Sequence, residues 1–413
     1  MRRLVTWLVV VLAAALPFAA DAQQPLKIGF GMSLTGPLAG NGKAALIAMD
    51  IWKDDVNARG GILGRKVEFV YYDDQTSPST VPSIYNKLLD VDKVDLVVSG
   101  YGTNVIAPAM PIMMQRNMMF MGLFGMNVNS KFEYDRYFQI MPSGPEPAIG
   151  WTKGYFETAM ALDPKPKTIA LVGADAEYPA LALAGAREQV KKTGLKVVYD
   201  KSYPPNTVDF SPIVRAIQAT NPDLVYVASY PPDSAGLVRA ANEVGLKARM
   251  FGGGMVGPQF AALRTQLGPL LNGVVNYETY APEVAGKFPT LDAFLPKYQA
   301  RAAREGVDPL GYYLPPFAYA MMQVIEQSIA GTKSLDQAKL AQYMHANEFD
   351  TVVGKVRFAK NGEWAIPRML AVQYHGITGN DLEQWKKPGH VTVLSPAEYR
   401  TGSVATPYQD NRK

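Results

Sequence analysis

Cysteine is absent from the 413 residues, which excludes a disulfide framework, thiolate metal sites and cysteine nucleophiles. It also excludes the acylated N-terminal cysteine of a bacterial lipoprotein. Histidine is scarce: His345, His375 and His390 all come late and share no metal-ligating spacing. Neither a Gly-x-Ser-x-Gly elbow nor a P-loop occurs. Gly29-Phe30-Gly31 begins like a dinucleotide-binding glycine run, but Leu34 stands where the third glycine belongs. An excess of one charge is lacking too. The formal net charge of +4 includes Arg2 and Arg3, and is too small to argue for nucleic acid or a membrane surface as partner. Stability therefore rests on packed core, which about 390 residues bury most economically as two domains.

Only one stretch is apolar enough to concern a membrane. Leu4 to Ala20 follows Met1-Arg2-Arg3 and ends in Ala20-Asp21-Ala22, the small-x-small pattern that signal peptidase cleaves. It is short for a membrane span. Residues 1–22 are therefore predicted to be a signal peptide, with a mature chain exported to the periplasm from Gln23.

Beyond it, hydrophobic runs alternate with amphipathic stretches at βαβ spacing. Leu26–Phe30, 67–72, 96–98 and 118–122 read as strands, with helices over 41–59, 80–89 and 106–116. Gly60-Gly61 closes the first helix with residues that tolerate positive φ. The rhythm breaks at Met141-Pro142-Ser143-Gly144-Pro145 and restarts with strands at 168–172, 197–199, 224–227 and 249–251. The pattern predicts an α/β fold of two doubly wound parallel-sheet lobes, with ligand at the carboxyl ends of the strands. Helices at 290–304, 313–330 and 335–346 add to one lobe. Val352–Phe358 and Met369–Tyr374 read as late strands, one for each lobe, and the polar tail from Pro396 as loosely attached.

Four stretches carry a family resemblance: Gly31-Met32-Ser33-Leu34-Thr35-Gly36-Pro37, Asp55 to Arg65 with its Asn57-Ala58-Arg59-Gly60-Gly61 core, Tyr71-Tyr72-Asp73-Asp74, and Tyr226 to Asp233. From about Leu26 to Gly379 the chain resembles the type I periplasmic binding proteins of the leucine/isoleucine/valine-binding family. The resemblance implies a monomer of two lobes joined by three crossover strands, near 140–146, 276–282 and 354–366. Lobe I would be 26–142 with 280–356, lobe II 143–279 with 357–395, and 396–413 a tail. It implies hinge closure on a small carboxylate or amino acid and delivery to the membrane permease of an ABC importer, with no catalysis, cofactor or metal.

Site residues follow from the same resemblance. The loop Ser99 to Asn104 supplies Tyr101, Thr103 and Asn104, with Thr103 at the position whose hydroxyl holds the ligand carboxylate beside helix-start amides. Thr103 or Asn104 as a plain helix cap is the competing reading. Phe124 and Met126 stand where relatives have small and hydroxyl residues; they face either the cleft or the core. Tyr178 and Tyr230 match aromatics of the closing lobe. Gly254 stands where amino-acid binders carry an acid for the α-ammonium, so either Glu278 or Asp233 substitutes or the ligand lacks that group. An aromatic or branched aliphatic acid is the expected cargo, with a hydrophobic amino acid close behind. A ligand-presenting sensor shares every feature above. A secreted hydrolase using Asp73 and Asp74 is the different-class alternative.

Overall fold

The computed structural model describes residues 24–412; the predicted signal peptide lies outside them. β1 (Leu26–Met32), β2 (Val67–Asp73), β3 (Leu96–Tyr101), β4 (Phe120–Leu123) and β5 (Tyr137–Gln139) form a parallel sheet of order β2-β1-β3-β4-β5. β6 (Thr168–Ala174), β7 (Lys196–Tyr203), β8 (Leu224–Ser229), β9 (Met250–Met255) and β10 (Val275–Glu278) repeat that order as β7-β6-β8-β9-β10. Strands such as β8, buried along its whole length, read as continuous apolar runs because helices cover both faces of a parallel sheet. The doubly wound order places a crevice at the carboxyl ends of each sheet.

The first helix, Ala39–Ala58, buries Ala45, Ala48, Trp52 and Val56 and packs beside helix Leu314–Thr332. Gly42 makes its approach possible: a Cβ there would lie 2.0 Å from the Ser33 carbonyl oxygen. At the other end Gly61 has φ +83° and a Cβ would meet the Arg65 carbonyl oxygen at 2.0 Å, so only glycine fits. Trp52 Nε1 donates to Glu326 at 2.9 Å and Arg301 pairs with Asp54 at 2.8 Å, tying the late helices to the first lobe.

The chain passes from β5 to helix Pro147–Met160 of the second lobe through 140–146. The second and third passages begin within the expected stretches, after their first residues. Residues 276–278 belong to β10, and residues 354–357 to a hairpin of β11 (Glu348–Thr351) and β12 (Gly354–Arg357). Residue 362 still contacts the first lobe, where its carbonyl accepts from the Gln139 amide at 2.9 Å. That hairpin forms its own two-stranded sheet instead of extending the first. β13 (Leu370–Tyr374) joins the second sheet antiparallel to β10, followed by β14 (Val391–Ser395), a strand the sequence reading did not anticipate.

The tail is not loosely attached. Gln373 exchanges two hydrogen bonds with the Ala405 backbone, at 2.7 and 2.8 Å. The Tyr408 amide donates to the Ala248 carbonyl at 3.0 Å, and its fully buried ring lies 5.0 Å from that of Phe251. Overall polarity hid one anchoring aromatic, and backbone pairing does not show in composition. Among the described residues no helix is long and apolar enough to cross a membrane. Tyr408→Ala is expected to lower unfolding free energy by about 3 kcal/mol in urea denaturation; a loss below about 0.5 kcal/mol would show the tail to be dispensable.

Candidate ligand-binding site

The carboxyl ends of the two sheets face each other across a shut cleft, with a cavity of about 20 Å³ left between them. From the first lobe and the strand leaving it, Leu38, Tyr101, Gly102, Thr103, Phe124, Met126, Met141 and Tyr313 line this cavity; from the second, Trp151, Tyr178, Tyr230 and Val256. None of these side chains is charged.

Gly102, at φ +101°, turns the chain from β3 into a one-turn helix, Thr103–Ile106. Its carbonyl takes the amides of Val105 and Ile106, while those of Thr103 and Asn104, in the first turn, have no helical acceptor. The Thr103 hydroxyl accepts from the Met126 amide at 3.0 Å, which docks the loop after β4 against the loop after β3. Phe124 is held at φ +61°, a region costly for a bulky residue. Its amide is fixed by Gln139 Oε1 at 2.9 Å. Its ring packs edge-on against Tyr313 and Phe317, with centroids 5.0 and 5.1 Å away. Phe124 and Met126 thus present apolar surface to the cavity.

On the second lobe, the Tyr178 hydroxyl donates to the Gly254 carbonyl at 2.8 Å, so Tyr178 offers the cavity its ring and a hydroxyl whose proton is already engaged. Tyr230 donates to Asn104 Oδ1 across the cleft at 2.7 Å. Lys131 and Glu177 add an ion pair between the lobes, at 3.0 Å. Asn104 therefore fastens the cleft and lines the groove outside it, not the inner cavity. Gly254 does not line the cavity either. A Cβ there would meet the Tyr226 hydroxyl at 2.8 Å and the Val227 carbonyl at 3.0 Å. β9 ends at Met255, and the residue that reaches the cavity from this turn is Val256. Neither Gly254 nor Val256 carries an acid.

Trp151, Tyr313, Leu38 and Val256 were not foreseen. Trp151 is on the helix following the first crossing, and Tyr313 opens a helix read only as packing. Their aromatic character gave a signal, but nothing in local spacing distinguished them from core.

Counting hydrogen-bond protons reveals what this lining lacks. Tyr277 donates to Tyr313 at 3.4 Å, and Tyr313 and Tyr101 share a bond of 3.2 Å. Three hydroxyls with two bonds leave one proton over, on Tyr101 or Tyr313. The Thr103 hydroxyl accepts but donates to nothing. Trp151 is buried, and its indole N–H has no partner. Burial pushes the hydroxyls of Tyr101, Tyr178, Tyr230 and Tyr313 above the ordinary tyrosine range, so they stay protonated. The cavity has spare donors and no carboxylate.

The profile of the periplasmic binding protein family matches residues 25–379. This chain belongs to the periplasmic binding protein family. The Leu/Ile/Val-binding protein of Escherichia coli is 25% identical over 361 residues, covering 82% of this chain and 88% of the relative. Among solved structures, a leucine-binding protein from Thermotoga maritima superposes with a TM-score of 0.73 at 18% identity, covering 90% of this chain and 99% of that one. An ABC transporter solute-binding protein from Rhodopseudomonas palustris, in complex with 3,4-dihydroxybenzoic acid, gives 0.72 at 17% identity, covering 86% and 94%. Both share the fold.

The acids weighed as substitutes in this binding protein are engaged elsewhere. Glu278 is ion-paired with Arg264 and accepts from the Tyr374 hydroxyl at 2.6 Å. Burial pushes its carboxyl up to about 7 despite both partners. Arg264 also lies 4.9 Å from the Trp385 ring. Asp233 accepts from the Tyr203 hydroxyl at 3.2 Å and is raised to about 6 by burial; it lines the outer groove, not the cavity. Asp73 takes the Thr35 hydroxyl at 2.6 Å and the amides of Leu34, Thr35 and Gln75. Burial alone would raise it, but these donors hold it below the usual range. Asp74 takes the Ser33 hydroxyl at 2.6 Å. Both aspartates staple the end of β2 to the loop after β1. Arg264→Ala or Glu278→Ala should each cost about 3–5 kcal/mol, because each leaves a buried charge unpaired, while Arg264→Met with Glu278→Leu should recover most of it. Urea unfolding of the set checks this; single variants within about 1 kcal/mol of wild type would contradict it.

Proposed function

We propose that this protein closes its lobes on a small carboxylate lacking an α-ammonium, an aromatic acid first of all, and delivers it to the permease of an ABC importer. The observation that carries the reading is the donor surplus of a cavity with no charged side chain. A carboxylate is acceptor-only, so it satisfies spare hydroxyl and amide protons that water no longer reaches. The free amides at Thr103 and Asn104 and the Thr103 hydroxyl support an anion from the first lobe without a buried cation. Six aromatic side chains, from Tyr101, Phe124, Trp151, Tyr178, Tyr230 and Tyr313, suit a flat ring, which prefers edge or offset aromatic contacts.

The names of relatives favour a second reading, a hydrophobic amino acid. Its α-ammonium would meet no carboxylate among the lining side chains, a costly exchange for water. The bound dihydroxybenzoate of the Rhodopseudomonas protein supports the aromatic reading.

A thermal-shift screen of benzoates, phenylacetates and branched aliphatic acids against the α-amino acids tests this. A binder at 100 times its dissociation constant adds about 2.7 kcal/mol of stability, so aromatic carboxylates should raise the melting temperature by several degrees. Thr103→Val should weaken the best of them by about tenfold. Shifts from α-amino acids alone would overturn the reading. Transport is tested separately, by uptake of the best ligand in a deletion strain.

A further inference from the structure

At about 20 Å³ the closed cavity has room for about one water, so an aromatic acid enters only where a wall gives way. The groove outside it is far larger, at about 580 Å³. Leu38 and Tyr230 line both spaces and so form the wall between them. Leu38 is buried, whereas Tyr230 is half-buried and held by the bond of its hydroxyl to Asn104. Both lobes build the groove, the first with Pro37 and Leu38, the second with Ala176, Pro205, Val208 and Pro232. Its polar side chains are largely engaged by the protein. Thr76 donates to the Thr35 carbonyl at 2.9 Å, Thr207 to the Pro204 carbonyl at 2.7 Å, and Asp233 accepts from Tyr203. Val208, by contrast, is 94% exposed, so an apolar neighbour in the groove would remove its surface from water.

Resting on the carboxylate reading above, we propose that the groove is a second subsite for the same ligand: an apolar extension, several carbons long and remote from the carboxylate, passes Tyr230 and lies against Val208. The cargo is then an aromatic acid with an alkyl-like tail. Breaking the Tyr230–Asn104 bond costs up to about tenfold in affinity, while each methylene taken out of water returns up to about fourfold. Two or more methylenes in the groove therefore outweigh the lost bond. Because the groove walls come from different lobes, only the closed form surrounds the tail. The tail then contributes differential affinity for closure, which is what a hinge protein responds to.

Isothermal titration of benzoate and 4-butylbenzoate, on wild type and Val208→Asn, tests the inference. On wild type, 4-butylbenzoate should bind about tenfold or more tightly than benzoate. Val208 lines the groove and not the cavity, and its exposure makes the substitution harmless to folding. Val208→Asn should therefore leave benzoate unchanged and cut the advantage of the butyl chain by about threefold or more. Equal or weaker binding of 4-butylbenzoate by wild type would overturn the inference and leave the carboxylate reading intact. So would an advantage that survives in full in the variant, which places the chain elsewhere, or an equal loss for both ligands. If neither acid binds and amino acids do, the carboxylate reading fails as well.

Discussion

Closing two lobes over a small solute removes the solute's charge from water, and whatever lines the cavity has to replace that hydration with fixed dipoles or an opposite charge. Here the lining holds no ionisable carboxylate, ammonium or guanidinium. On the proposed reading donors make the replacement: the Thr103 hydroxyl, the first-turn amides and a leftover tyrosine proton. Much of the surrounding structure keeps these groups in place. Gly102, at φ +101°, turns the chain from β3 into the short helix that begins at Thr103. Phe124, at a costly backbone angle, supports Tyr313, and Gln139 holds the Phe124 amide.

The same constraint explains where the protein's buried charges are. Glu278 ends β10, close in sequence to the second crossing, but it is paired with Arg264 of the helix Ala261–Leu267, beside Trp385 and Tyr374. Asp233 is occupied by Tyr203 outside the cavity. Cross-cleft bonds include Tyr230–Asn104, Lys131–Glu177 and Tyr277–Tyr313.

The fold was legible because its signals are local and repeated. Apolar runs such as 168–172 and 224–227, spaced by amphipathic stretches, mark βαβ units, and the order of both sheets follows from that alternation. Of the residues singled out from the sequence, Tyr101, Thr103, Phe124, Met126, Tyr178 and Tyr230 line one cavity. Long-range placement was not legible. Trp151 and Tyr313 reach the cavity from helices whose orientation depends on the crossings, and Tyr408 anchors a segment whose composition is polar. The break between Gly254 and Val256 turned on where β9 ends, a matter of one or two residues that periodicity does not resolve.

Calorimetric titration with a pair of ligands differing only in the α-ammonium, 3-phenylpropanoate and phenylalanine, tests the central claim most directly. A cavity of donors without a counter-charge predicts that 3-phenylpropanoate binds at least about a hundredfold more tightly, the equivalent of roughly 2.7 kcal/mol. Tighter binding of phenylalanine would mean that the protein supplies a partner for the ammonium, and would contradict the account.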